Sequence, residues 1–162
     1  MKWTTPFLSA VFILLLIATQ AVAEEPLSIE LLERLSTTED ELAPLEDRMA
    51  QAHSEAFKEY DDPLDAAMLD PATQDRLLDS ALKNQGIYDE VETILENNGW
   101  NSYGDYMRLK MRFSTLVVHK FHESGLAVSK ESTALLEKLP PSQEDLAFRE
   151  KHWEDMWALE QE

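Results

Sequence analysis

Apolar positions along this chain recur at three- and four-residue spacing almost throughout, and alternating runs rich in Val, Ile and Thr are missing. That periodicity predicts an all-α protein. Leu27, Leu31 and Leu35 mark a short first helix after Pro26, which the Ser36-Thr37-Thr38 cluster is expected to end. Thr38 and Glu41 have the spacing of a capping box for a second helix. Its inward face would hold Leu42, Leu45, Met49, Ala52, Ala56 and Tyr60, and it should stop before Asp61-Asp62-Pro63. Pro44 lies close enough to its start to move the first turn later. Asp70-Pro71 then opens a helix that Gly86 closes, and Ile87 to Asn97 forms the next, closed by Asn98-Gly99. Trp100 plugs the turn, and Asn101 or Ser102 caps the next helix.

Tyr103 to Glu123 is the most apolar helix after the N-terminal segment. Tyr106, Met107, Leu109, Met111, Phe113, Leu116, Val117, Val118 and Phe121 sweep more than half of its circumference. A helix apolar over so wide an arc belongs at the centre, with the others around it. Gly125 ends it, Ser129 caps a shorter helix carrying Leu135, Leu136 and Leu139, and Pro140-Pro141 breaks the chain. Ser142 with Asp145 resembles a capping box for the last helix, residues 142–159, on which Leu146, Trp153 and Trp157 share a narrow arc. The expected architecture is a compact, irregular bundle of six or seven short helices around the helix at 103–123.

The N-terminal segment has another purpose. Lys2, the unbroken apolar run from Ala10 to Ala18, and Ala21-Val22-Ala23 before Glu24 are the three parts of a secretory signal peptide. Its apolar stretch is shorter than the ~20 residues a membrane-spanning helix needs, which predicts cleavage after Ala23 rather than insertion. Residues 24–162 are then one helical domain by size.

Composition adds the compartment. The chain has no cysteine and no N-x-[ST] acceptor, so neither disulfides nor N-linked glycans contribute, and a bacterial periplasm fits better than eukaryotic secretion, although a released protein would look the same. Acidic residues number 32 against 14 Lys and Arg, a formal charge of −18 that becomes one unit more negative when Lys2 leaves. Such a surface repels nucleic acid and anionic lipid.

Against that background the polar strip of the central helix stands out. Arg108, Arg112, Thr115, His119 and His122 fall within an arc of roughly 80°, and no acid interrupts residues 106–122. Arg108, Arg112, His119 and His122 are therefore a candidate site for a carboxylate, phosphate or sulfate. The alternative is that acids from neighbouring helices pair with them internally. His119, His122 and Glu123 project from one side of the helix and raise the question of a metal, but the segment is not H-E-x-x-H and the flanking cations oppose it. Asp61, Asp62, Asp65 and Asp70 lack the order and turn glycine of a calcium loop and read as caps and solvated loop. Leu146, Trp153 and Trp157 could enter a groove on a partner protein, making the last helix a docking arm, or could dock on the bundle itself.

The four glycines match no nucleotide loop, and no G-x-S-x-G elbow occurs. The expectation is a small exported, non-catalytic protein without cofactor that binds a protein partner or a small anionic ligand. The alternatives are a metal-binding protein or hydrolase using His119, His122 and nearby acids, and an acid-responsive periplasmic chaperone.

Overall fold

The computed structural model describes residues 25–60, 63–126 and 128–159. The expected leader, with its cleavage position, lies outside the described residues, as do Asp61 and Asp62. Every regular element among the described residues is a helix and there is no strand, so the fold is all-α. In chain order these are α1 (Ile29–Leu42), a 3₁₀ turn (Ala43–Leu45), α2 (Glu46–Ala56), α3 (Pro63–Ala67), α4 (Pro71–Asn84), α5 (Tyr88–Asn97), α6 (Tyr103–Glu123), α7 (Lys130–Lys138) and α8 (Gln143–Leu159).

Several boundaries differ from the sequence pattern, among them the end of α2, which falls at Ala56 and leaves Tyr60 beyond the helix. Helix α1 runs straight through Ser36-Thr37-Thr38, because the Thr37 and Thr38 hydroxyls donate back to the carbonyls of Glu33 (2.9 Å) and Arg34 (2.7 Å) instead of leaving the helix to cap another. Thr38 is fully buried, and its Oγ1 also accepts from the Trp100 indole N–H at 2.9 Å. The break falls instead at Ala43-Pro44-Leu45, where proline has no N–H to continue the α-helical ladder. The pattern around Asp65 gives no sign of the short α3.

Other signals act as the sequence predicts. Asp70 caps α4 through the Thr73 N–H (3.0 Å), Ser102 caps α6 through the Asp105 N–H (3.0 Å), and Ser129 caps α7 through the Ser132 N–H (3.0 Å). At Gly99 (φ 76°) the chain turns left-handed. The N–H of Gly99 reaches the Glu96 carbonyl (3.0 Å), and that of Trp100 reaches Leu95 (2.9 Å). This double bond pattern rolls Trp100 back onto Leu95, where both are buried.

Helix α6 occupies the centre, packing against α1, α4, α5, α7 and α8, while α2 lies along α4 and α8 along α1. Leu32, Leu82, Ile87, Val91, Leu95, Leu116 and Met156 are fully enclosed in one continuous cluster of buried side chains. Full burial of a side chain of this size contributes about 1.5–3 kcal/mol. With no cross-link available, that cluster must hold the bundle.

Candidate functional site

The cationic strip of α6 leads in two directions. Near the start of the helix, Arg108 donates to Asp75 of α4 (2.8 Å), to Gln74 (3.3 Å) and to Asp105 one turn back. Gly104 makes room for this arrangement, since a Cβ there would lie 1.7 Å from Asp75 Oδ1. Burial alone would lower the basicity of Arg108, but its pairing with Asp75 and Asp105 outweighs that and raises it. One turn on, Arg112 grips Asp145 with two nitrogens, Nε at 2.7 Å from Oδ2 and Nη2 on Oδ1, and Nη1 donates to the Glu25 carbonyl at 2.8 Å. Asp145 lies in the first turn of α8, its own N–H held by the Ser142 hydroxyl at 3.0 Å. The helix dipole favours an acid there.

Farther along α6, His119 meets Arg149 of α8, whose Nη1 lies 2.8 Å from His119 Nδ1. Arginine has only donors, so in this contact Nδ1 accepts, and Glu123 Oε2 lies 3.4 Å from the same nitrogen. Arg149 is 2% exposed and also donates to Glu123 and Glu150, each at 2.7 Å. A metal at His119 Nδ1 would displace a guanidinium. Among the described residues no group of three His, Asp or Glu side chains could hold a metal ion. His122 is exposed and lies outside this cluster, so the four cationic candidates do not converge on one point.

What Arg108 and Arg112 do share is a cleft of about 460 Å³. It opens between α2 (His53, Phe57), α3 and the start of α4 (Leu69, Gln74, Leu78), α6 (Met107, Arg108, Met111, Arg112, Thr115) and the link from α7 to α8 (Lys138 to Ser142, with Asp145). Small-molecule sites occupy about 300–1,000 Å³, so the size is appropriate. Most of its wall is aliphatic or aromatic. Its charged members are Arg108, Arg112, Lys138 and a single acid, Asp145. His53 is also in the wall, stacked edge-on against Phe57 at 4.9 Å, and its ring makes no hydrogen bond within the described residues. Burial pushes its pKa down, which keeps it neutral at pH 7.

The sequence pattern points at Arg108 and Arg112 but misses the cleft, because Met107 and Met111 read as core and Pro140-Pro141 as a mere break. In the fold that break supplies part of the cleft wall. Arg149 is missed as well. Its place on the helix, beside the Leu146, Trp153 and Trp157 arc and not within it, gives no sequence signal of burial.

The arc itself needs correction. At 100° per residue the buried positions Asp145, Arg149 and Met156 centre about 80° from Leu146, Trp153 and Trp157. The last helix thus buries Asp145, Arg149 and Met156, with Phe148 and Leu159 packed against the core beside them, and it kinks at His152 (φ −123°, ψ 20°). Leu146 packs at the margin of the core. Trp153 and Trp157 stack on one another (5.9 Å) and edge-on against Phe121 (6.3 and 5.6 Å), leaving Trp157 37% exposed.

No helix among the described residues is long and apolar enough to cross a membrane. No protein-family model, no curated protein and no solved structure matches this chain.

Proposed function

We propose that the protein is an exported, non-catalytic binding protein of the periplasm whose cleft between α2, α4, α6 and the α7–α8 link receives a small anionic ligand. The observation that carries this reading is the reversal of charge. In a chain of net charge −18, three of the four charged residues lining the cleft are cations. Their largely apolar surroundings lower the local dielectric and strengthen any interaction with an entering anion. Arg108 and Arg112 are at once internal partners of acids and the cationic wall of the cleft, so the two readings of the strip are compatible. The acids hold the guanidinium planes in place, and less entropy is lost when a ligand binds pre-positioned donors.

An anionic naphthalenesulfonate dye tests the reading on the chain lacking residues 1–23. Saturable binding at one site, abolished by Met111→Trp with the helical signal and melting temperature preserved, is the expected result. Binding that is absent, or indifferent to that substitution, contradicts it.

A second reading, docking of a protein partner on the last helix, rests on the Phe121, Trp153 and Trp157 stack, because Trp157 is half-covered on a helix whose interior contacts lie elsewhere. Trp157→Ala should then abolish capture of that partner from a periplasmic extract without lowering the melting temperature.

A further inference from the structure

The chemistry of the cleft narrows the ligand further. We infer, resting on the reading just given, that the cleft takes an aliphatic monocarboxylate of about eight to ten carbons. The length follows from α6. Cleft residues on that helix run from Met107 to Thr115, about 12 Å at 1.5 Å per residue. An extended chain advances about 1.2 Å per bond, as the peptide backbone does at about 3.5 Å per three bonds, so about ten bonds span it. The volume of about 460 Å³ corresponds to about fifteen water-sized groups at ~30 Å³ each, enough for such a chain.

The wall chemistry favours an aliphatic body. Phe57, Leu69, Leu78, Met107, Met111 and Leu139 supply apolar surface, and the two methionines are unbranched and polarizable, which suits a flexible chain. The charge follows from what already faces the cations. Arg112 is held by Asp145, Arg108 by Asp75 and Asp105, and Lys138 by Asp65 at 2.9 Å. Each cation already faces at least one acid, and Asp145 does so from the cleft wall itself. The acids that so largely neutralise these cations repel a phosphate dianion more than a single carboxylate, and the neutral His53 ring offers a further hydrogen-bonding edge in the same wall. A small inorganic anion would leave the apolar surface in contact with water. A cationic amphiphile would meet three like charges.

Displacement of the bound naphthalenesulfonate dye by decanoate, decanol, decyltrimethylammonium and inorganic phosphate decides the class. Decanoate is expected to compete at one site with an affinity about tenfold above that of decanol, the difference a charge-assisted hydrogen bond supplies. Decyltrimethylammonium and phosphate should not displace the dye. Arg108→Gln should weaken decanoate about tenfold and leave decanol unchanged. Lys138→Gln, at a more exposed side chain, should act in the same direction should Arg108→Gln lower the melting temperature. Equal affinities for decanoate and decanol, stronger displacement by phosphate, or no displacement by any of the four would overturn the inference while leaving dye binding in the cleft intact, whereas stronger displacement by the cationic amphiphile would overturn the inference and the anion-binding reading together. Failure of the dye itself to bind removes both.

Discussion

The contact of α8 with α6 and the contact of α5 with α4 both enclose charge, and they do so in opposite ways. In the first, Asp145 and Arg149 are 4% and 2% exposed, yet Asp145 holds Arg112 through two bonds and Arg149 meets His119, Glu123 and Glu150. In the second, Glu92 feels the charges of Asp79 and Glu96, Asp79 feels that of Asp75, and Lys83, which lies over the Tyr88 ring at 4.1 Å, offsets part of the repulsion on both. Glu92 Oε1 is buried without a hydrogen bond among the described residues. Burial pushes both carboxyl pKa values up, Glu92 further by Asp79 and Glu96, and Asp79 further by Asp75 against the pull of Lys83. With 14 basic residues to 32 acids, not every carboxyl can have a cationic partner, and the contact of α4 with α5 is where acids are left to repel one another.

The sharpest way to break this contrast is Asp145→Ala. Removing Asp145 takes the two-bond carboxylate from Arg112, which keeps its other contacts, and should cost up to about 3–5 kcal/mol in a urea titration. A loss below ~1 kcal/mol would mean that water already screens the pair. Arg112→Met with Asp145→Leu should recover most of the loss, because replacing both partners leaves no uncompensated charge. A neutral version of the matched case comes next. Thr38→Val leaves the buried Trp100 N–H without its acceptor and should cost about 1–3 kcal/mol, with a change in tryptophan fluorescence.

The smallest effect has the opposite sign. Glu92→Gln should stabilise the protein at pH 7, on the order of 0.5 kcal/mol once solvent screening is allowed for. The folded-state pKa of Glu92 lies above its ordinary value of 4.5, so the folded chain binds that proton more tightly than the unfolded one. Its stabilising contribution is complete below the unfolded value and is lost as pH rises through the folded value. Glutamine stays neutral throughout. The gain should therefore be present at pH 7 and vanish below pH 4.5, as thermal melts across that range will show. A gain that persists at acid pH would place its origin elsewhere than in the carboxyl proton.

These contrasts show what a linear pattern can carry. Helix content, the central place of α6 and the caps at Asp70, Ser102 and Ser129 follow from rules that operate within one turn, and all are legible. Thr38 is misread because its hydroxyl has two outlets, a cap or the carbonyl four residues back, and Trp100, distant in sequence, selects the second. Arg108 and Arg112 are legible as a cationic strip, but their partners Asp75 and Asp145 each lie 33 positions away and depend on how α4 and α8 pack. The face that α8 buries is misread for a related reason. Apolar residues usually mark the inward side, but here Asp145, Arg149 and Met156 occupy it, the two charges paired with Arg112 and with Glu123 and Glu150, and the kink at His152 resets the helical phase partway along.

The methionines offer the most direct view of the cleft. Met107 and Met111 line it, Met49 and Met156 are buried in the core, and Met68 is 58% exposed. Protein carrying ¹³C-methyl methionine, titrated with decanoate, reports each of these positions as a separate resonance. Saturable shifts at Met107 and Met111, with Met68 and Met156 unmoved, are the predicted result. Shifts at Met68 equal to those at Met107 and Met111, or no shift at the two cleft methyls at saturating decanoate, would contradict a ligand site in the cleft.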